Sequence, residues 1–212
     1  METLFDSNLI DGAAYEVSDA GAFYSGRRWD QRGNVVRNNT FRTVRTRVPV
    51  MSWPPGGSVQ AIYLDDEMSG YEVVNNTFED VQRGVFIGGG RRNRVVGNTF
   101  TRTDTAIHLD DRGAGCFNWT CFPNCPGGFC SHAADIWRWI EGPSAWPLDA
   151  PPWSVRYPTL ANLRQEWPGL PVFNELLLNV YDENATFLDA GQIPVTTLTA
   201  TYFTAMSGNR RK

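Results

Sequence analysis

Histidine and lysine are scarce in this sequence, with two and one among 212 residues, and the formal net charge is −4. Proteins that bind nucleic acid usually carry a basic patch, so we expect no nucleic-acid partner. No apolar run approaches the roughly 20 residues that cross a bilayer, and we therefore expect no membrane span. The first residues also lack the basic and apolar regions of a signal peptide.

Cysteine is equally rare, and all four cysteines fall in one short segment. Their spacing, C-x4-C-x3-C-x4-C, differs from the C-x2-C pairs of zinc ribbons. We favour two local disulfides over a metal site or free thiols, and disulfides would imply an oxidising compartment. The sequence thus predicts an extracellular protein. The disulfide candidates are Cys116, Cys121, Cys125 and Cys130.

Two kinds of self-similar segment recur along the chain. In the first, an asparagine is followed two residues later by a large apolar residue. Stacked asparagines can bond to one another and to backbone groups at a tight bend, so we interpret this column as structural. Its members are Asn8, Asn39, Asn76, Asn98 and Asn179.

The second repeated segment is in phase with the first and includes Ala61–Glu67, Gly84–Gly90 and Ala106–Arg112. Its starting positions are 23 and 22 residues apart, the length of one coil of a β-helix. Helical spacing of apolar residues is missing here, and alternate side chains of a strand point inward. The sequence therefore predicts an all-β fold, a right-handed parallel β-helix (solenoid). Its stacked core would contain Ile62, Leu64, Val85, Ile87, Ile107 and Leu109.

The domain organisation follows from where this period holds. We expect one β-helix domain over 1–212 that lacks upstream coils. A long insertion rich in Trp, Pro and Cys interrupts the period at 113–172, and insertions of that length are usually lids or walls. The pattern fades over 192–212, which we expect to be a degenerate C-terminal end.

Four motifs together resemble a known family. GAFYSGR begins at Gly21, AIYLDD at Ala61, GGGRRN at Gly88 and LDDRG at Leu109. They are similar to right-handed β-helix repeat proteins related to pectate lyases, and most closely to a largely uncharacterised branch of them. The resemblance implies the β-helix fold. It also implies work on carbohydrate polymers, because the broader relatives include polysaccharide lyases, glycoside hydrolases and epimerases.

Two aspartate doublets end in-phase strands on either side of a glycine run. Asp65 and Asp110 would lie two strand spacings apart, roughly 9 to 10 Å, and inverting glycosidases hold their carboxyls about 6.5 to 9.5 Å apart. We therefore predict Asp65 and Asp110 as acid and base, with Asp66 and Asp111 as catalytic partners. The doublets could instead be simple turns or calcium ligands.

Aromatic and basic residues on the same outward face are candidates for substrate binding. An outward aromatic line suits either a stacked sugar ring or a covering segment, and the arginines suit either acidic sugars or ion pairs with the aspartates. A histidine beside Asp110 could relay a proton. The predicted binding residues are Tyr24, Arg27, Tyr63, Phe86, Arg91, His108 and Arg112.

These observations lead to three functional hypotheses. The first is a carbohydrate-active glycoside hydrolase that uses paired aspartates and acts on a polysaccharide or glycoside. The second is a calcium-dependent polysaccharide lyase, and the third is a non-catalytic carbohydrate-binding or structural solenoid. We expect a monomer whose partner is a carbohydrate polymer, with no obligatory cofactor and no structural metal, although calcium would suit the second hypothesis.

Overall fold

The computed structural model describes residues 2–48, 58–113, 146–167, 169–191, 193 and 202–212. These residues form fifteen β-strands, one short α-helix and one 3-10 helix. The strand sequences are rich in Val, Ile, Phe and Thr, and their residues alternate between buried and exposed, as in strands with one buried face.

The strands lie in two sheets. Sheet A has six strands in the order β1-β4-β7-β9-β11-β14. They are β1 (Leu4–Asp6), β4 (Asn34–Arg37), β7 (Tyr71–Val74), β9 (Arg94–Val96), β11 (Asn174–Leu177) and β14 (Phe203–Ser207).

Sheet B has nine strands, and its main path runs β15-β12-β10-β8-β5-β2. These are β2 (Leu9–Ala13), β5 (Thr40–Val44), β8 (Thr77–Gly88), β10 (Thr99–Asp110), β12 (Val180–Tyr181) and β15 (Arg210–Arg211). Beside this path, β3 (Ala20–Gly26) pairs with β6 (Val59–Asp65), β6 pairs with β8, and β13 (Thr186–Asp189) pairs with β10.

The fold-class prediction needs correction. The described residues are all-β, but they form two large parallel sheets in a sandwich-like layout and not the expected right-handed parallel β-helix solenoid. The 22-residue period overstated the regularity of the chain. Neighbouring asparagines of the column are 31, 37, 22 and 81 residues apart, so one repeat length does not describe the fold.

The expected Cys-rich insertion at 113–172 is described only in part. All four cysteines lie within 114–145, outside the described residues. No disulfide occurs in the part of the chain that the structure describes, so the disulfides and the secretion inferred from them have no support there. Within the same described ranges, no helix is long and apolar enough to cross a membrane.

One apolar core fills the space between the sheets. Its stacked side chains include Ile62, Val85 and Ile107, all with no exposed surface. The rings of Phe41, Phe78 and Phe100 stack in parallel, with centroids 5.4 and 4.7 Å apart. Parallel register brings chemically alike residues opposite each other, which is why side chains of one kind form continuous rows.

We call one strand of sheet A and the sheet B strand that follows it a layer. The asparagine column lies at the turn between these two strands and joins successive layers. The backbone N–H and the Nδ2 of Asn39 donate to Oδ1 of Asn76, at 3.0 Å each, and Asn76 donates to Asn98 in the same way. Asn98 donates in turn to Asn179. The side chains thereby satisfy buried polar groups that the bend would otherwise leave without partners.

A smaller cluster packs beside the sheets. Trp29, Leu148, Leu160 and Leu163 are buried together there. Between Leu148 and Leu163 the chain forms the helix α1 (Trp153–Arg156) and the 3-10 helix at Pro158–Leu160.

Candidate functional site

The outer face of sheet B carries a row of aligned side chains. Register places Tyr24 opposite Tyr63, Tyr63 opposite Phe86, Phe86 opposite His108, and His108 opposite Asp189. The aromatic line and the histidine thus form one continuous row, as their phase in the sequence indicated. Asp189 extends this row, although the sequence pattern did not single it out.

A second row, at the ends of β3, β6, β8 and β10, contains two aspartates and two glycines. Asp65 lies opposite Gly26, and Asp110 lies opposite Gly88. The guanidinium of Arg112 lies between the two carboxylates. Its Nη1 is 2.6 Å from Oδ1 of Asp65, and its Nη2 is 2.7 Å from Oδ2 of Asp110. We call Asp65, Asp66, Asp110 and Arg112 the arginine node.

The arginine node is a tight ion-pair cluster. Nη1 of Arg112 also lies 3.0 Å from Oδ1 of Asp66, and Nε lies 3.0 Å from both oxygens of Asp110. Burial lowers the pKa of Arg112, but the hydrogen bond and the charge of Asp110, together with Asp65, outweigh it, so this pKa is raised. One permanent cation therefore stabilises three carboxylates.

This geometry does not suit the acid and base pair expected of a glycosidase. Such a pair needs a protonated carboxyl and a water-activating carboxylate on opposite sides of a substrate. Here Asp65 and Asp110 share one guanidinium, and a Cβ at Gly88 would lie 3.0 Å from Cζ of Arg112. The glycine run leaves room for Arg112 and does not form an open floor, so glycosidase activity through this pair has no structural support.

Four other residues predicted to bind substrate divide into two groups: two contact the aspartates, and two are buried. Arg27 pairs with Asp66 at 3.0 Å. Tyr24 donates a hydrogen bond to Asp65 at 2.8 Å, and burial, followed by this bond, raises the pKa of Tyr24 to about 12. Tyr63 is buried and donates to Asp19. Arg91 has no exposed surface and lies over the ring of Trp29, away from the acidic row.

Phe86 is covered by charged groups. The guanidinium of Arg112 lies 5.1 Å from its ring centroid and that of Arg83 lies 5.7 Å away. The imidazole of His108 stacks on the same ring at 4.5 Å with an interplanar angle of 8°. Phe86 is only 4% exposed. These side chains pack on its ring, so the ring offers no open surface to a sugar.

Glu67 is the acidic residue that the sequence analysis overlooked. It is 3% exposed, and its Oε2 is buried without a hydrogen-bond partner. Burial, followed by the charge of Asp66, raises the pKa of Glu67 to about 8, so its carboxyl is largely protonated at neutral pH. The backbone at Asp66 and Glu67 has φ of 38° and 59°, and such consecutive left-handed residues are held only by strong surrounding contacts.

His108 and Asp189 form a hydrogen-bonded dyad beside the arginine node. Nδ1 of His108 is 2.9 Å from Oδ2 of Asp189. Burial lowers the pKa of His108, followed by the charge of Arg83, while Asp189 acts in the opposite direction. The imidazole is therefore neutral at neutral pH, and its Nε2 makes no hydrogen bond to a described residue.

His108 of the dyad borders an open cavity of about 360 Å³. Asp110 and Asp111 contribute carboxylates to its wall, and Tyr202 donates a hydrogen bond to Asp111 at 3.2 Å. Its wall consists of His108, Leu109, Asp110, Asp111, Ala190, Gly191 and Ile193. Of the predicted catalytic residues, Asp110 and Asp111 line this cavity. Asp110 also belongs to the arginine node, together with Asp65 and Asp66.

The acidic residues of this face were also considered as ligands for calcium. Within the described ranges, no group of three or more His, Cys, Asp or Glu side chains is arranged to hold a metal ion. In the arginine node, the carboxylate oxygens that calcium would need are bonded to a guanidinium.

Comparison with protein-family models, with curated proteins and with solved structures finds no match to this chain.

Proposed function

We propose that this protein is a carbohydrate-active enzyme of the lyase type, in which His108 removes a proton from a sugar-acid residue. The observation that carries the proposal is that His108, which is hydrogen-bonded to Asp189, lies at the wall of a cavity. A neutral imidazole whose second nitrogen is fixed by a carboxylate is a common general base.

The dyad divides the work between its two members. Asp189 accepts a hydrogen bond from the N–H at Nδ1, which leaves the lone pair on Nε2 free to take a proton from substrate. The negative charge of Asp189 also stabilises the imidazolium that forms. Because the pKa of His108 is lowered by burial, the base is ready at neutral pH and does not first have to lose a proton.

Arg83 supplies the positive charge that such a reaction needs. Its guanidinium lies over Phe86, and its charge lowers the pKa values of both His108 and Asp189. Arg83 forms no hydrogen bond or ion pair with the described residues. A guanidinium binds a carboxylate through two parallel hydrogen bonds. Arg83 would therefore hold the carboxylate of the sugar acid and stabilise the negative charge that develops when the neighbouring C–H bond breaks.

The elimination balances with these groups alone. Nε2 of His108 takes the proton from the carbon next to the carboxylate, the electron pair forms a double bond, and the bond to the linked sugar oxygen breaks. The imidazolium then returns its proton to the departing oxygen. Asp110 and Asp111 would accept hydrogen bonds from sugar hydroxyls at the same wall, and the resemblance of the motifs to proteins related to pectate lyases supports a carbohydrate substrate.

The test is incubation with polyuronates and with neutral polysaccharides, followed by ultraviolet absorbance of unsaturated products. We expect product from a polyuronate, and a loss of at least about 100-fold in His108→Ala. Asp104→Asn, which changes an exposed carboxylate elsewhere on β10, is the matched control and should retain full activity. Undiminished elimination by His108→Ala, or no unsaturated product from any polyuronate, would overturn the proposal.

Tyr24 favours a second candidate, a carbohydrate-binding protein without catalysis. Its ring is 52% exposed at the end of the aromatic row, and exposed aromatic rings stack well on sugars. Binding on a glycan array that is lost in Tyr24→Ala, with no turnover over long incubation, would favour this function over the first.

A further inference from the structure

Three arginines, none of them in the arginine node, lie close together beside Trp29. Arg32 precedes β4, and Arg91 and Arg92 lie between β8 and β9. Gly70 connects the two segments, because its N–H donates to the carbonyl of Arg91 at 3.1 Å and a Cβ on it would lie 3.0 Å from Cα of Arg32. We call Arg32, Arg91 and Arg92 the triple-arginine cluster.

Two of these side chains are buried almost completely. Arg32 is 6% exposed, and Arg91 has no exposed surface. Cζ of Arg91 lies 5.9 Å from the ring centroid of Trp29 and 5.6 Å from that of Phe173, and Cζ of Arg92 lies 4.3 Å from the latter. Burial against these rings removes the water that would otherwise hydrate the guanidinium groups of Arg32 and Arg91.

The triple-arginine cluster has more hydrogen-bond donors than acceptors. Nη1 of Arg32 donates to two main-chain carbonyls, and Nη2 of Arg91 donates to the carbonyl of Glu166. Among the described residues, nothing accepts a hydrogen bond from Nε or Nη2 of Arg32, from Nε or Nη1 of Arg91, or from Nε of Arg92. Buried polar atoms almost always have a partner, so these five nitrogens indicate an acceptor that the described residues do not supply.

The triple-arginine cluster also has an excess of positive charge. The carboxylates that act on the pKa of Arg32 are Asp30 and Glu166. Asp30 is bonded through both oxygens to Arg28, and Oε2 of Glu166 lies 2.6 Å from Nη2 of Arg92. Since Asp30 already has its own guanidinium, three arginines face the single negative charge of Glu166. Two positive charges therefore have no counterion among the described residues.

The pKa values agree with this excess of charge. Burial, followed by the charges of Arg92 and Arg91, lowers the pKa of Arg32 to about 9. Burial also lowers the pKa of Arg91 to about 10. Both guanidinium groups are still charged at neutral pH. Because buried charges without counterions are strongly unfavourable, a bound anion would stabilise the fold.

We propose that the triple-arginine cluster binds a small tetrahedral dianion, inorganic phosphate or sulfate. Its two negative charges match the two positive charges, and its four oxygens can accept hydrogen bonds from the five nitrogens. Guanidinium groups bind such oxyanions through pairs of parallel hydrogen bonds. A carboxylate has one charge and two oxygens and fits less well.

Burial also limits the size of the ligand and the way in. Arg32 and Arg91 are covered on almost all sides, which favours a free anion over one that is attached to a sugar. The side chains of Arg92 and Glu166 are 22% and 24% exposed, so an anion can enter at their edge of the triple-arginine cluster. The anion would join the segment before β4 to the turn between β8 and β9. The site does not depend on the proposed enzymatic activity.

The test begins with the wild-type chain dialysed into a buffer without phosphate or sulfate. Any phosphate or sulfate that the protein retains is measured by ion chromatography after denaturation. Titration with inorganic phosphate and with sulfate at constant ionic strength is then followed by calorimetry and by thermal unfolding. We expect saturable binding, and a rise in Tm of at least about 5 °C at a 100-fold excess over Kd. Acetate, chloride and glucose 6-phosphate should each bind at least about 10-fold more weakly.

Two variants connect the binding to the triple-arginine cluster. Arg91→Met and Arg32→Met each remove one guanidinium and retain an apolar side chain, so each should weaken phosphate binding at least about 10-fold. Arg94→Met is the matched control, because Arg94 is a partly exposed arginine of β9 that pairs with Glu175, and it should bind phosphate as the wild type does. Circular dichroism establishes that each variant is folded.

Several results would overturn the proposal. One is a wild-type chain that neither retains an anion nor binds phosphate or sulfate saturably. Another is unchanged affinity in folded Arg91→Met and Arg32→Met. Acetate that binds as tightly as phosphate would exclude a site for a dianion, and glucose 6-phosphate that does so would exclude a site for a free anion.

Discussion

The arginine node and the His108–Asp189 dyad are neighbours on one face of sheet B, and both contain carboxylates at strand ends. In the node, Arg112 occupies the carboxylate oxygens of Asp65 and Asp110. In the dyad, the carboxylate of Asp189 is bonded to an imidazole that can still accept a proton. Acidic residues in neighbouring rows of one sheet face thus acquire a structural or a chemical role according to the group bonded to them.

Removal of the guanidinium should separate the two regions most strongly. Arg112→Ala leaves Asp65 and Asp110 without their guanidinium, whereas Asp66 keeps its pair with Arg27. Loss of one partner of a buried ion pair costs about 3–5 kcal/mol. We expect that loss in the free energy of unfolding measured by urea denaturation. His108→Ala should cost far less stability. Equal losses in the two variants would mean that the node is no more structural than the dyad.

Glu67→Gln should change how the stability of the node depends on pH. The pKa of Glu67 is about 8 in the folded chain, above the ordinary value of 4.5. The folded state thus holds a proton that the unfolded state has lost, and stability falls by about 1.4 kcal/mol per pH unit as pH rises between those values. Urea denaturation from pH 5 to pH 8 should show a flatter profile for Glu67→Gln.

If the profiles of wild type and Glu67→Gln are parallel over this range, the carboxyl of Glu67 titrates normally. A conservative change at an exposed acidic residue, Glu16→Gln, serves as control and should leave the slope as in the wild type.

Asp189→Asn should alter the dyad and leave the node intact. The bond to Asp189 raises the pKa of His108 against the larger effect of burial, so its loss should move the acidic midpoint of the activity profile to lower pH. The maximal rate should also fall, because the imidazole loses the group that orients it. Activity measured as a function of pH checks both effects, and an unchanged midpoint would show that His108 is not the base.

Tyr24→Phe should have the smallest effect. It removes one hydrogen bond to Asp65 at a half-exposed position, and such a bond contributes about 1 kcal/mol or less. Thermal unfolding should shift by no more than a few degrees. A large shift would mean that the bond from Tyr24 stabilises the fold as strongly as the ion pairs of Arg112.

The sequence predicted strands and rows well because alternation and phase depend only on neighbouring residues. The inward set of Ile62, Val85 and Ile107 and the outward row through Phe86 and His108 both followed from that alternation. The sheet architecture did not follow, since it depends on how segments of unequal length close on one another.

The site was harder to predict because its partners are distant in the chain. Asp189 is 81 residues from His108, and Arg112 reaches Asp65 from 47 residues away. Glu67 follows the aspartate doublet directly, but its raised pKa depends on burial that no local pattern reveals. Asn209 was missed because the residue two positions later, Arg211, is charged, whereas a large apolar residue follows the other asparagines of the column.

The unequal lengths between layers have a kinetic consequence. Pairing of Asn76 with Asn98 closes 22 residues, whereas pairing of Asn98 with Asn179 closes 81. The longer closure costs about 1 kcal/mol more in chain entropy, and contacts between nearby residues form faster. The layers around β8 and β10 should therefore nucleate folding, and the strands from β11 onward should add to that nucleus late.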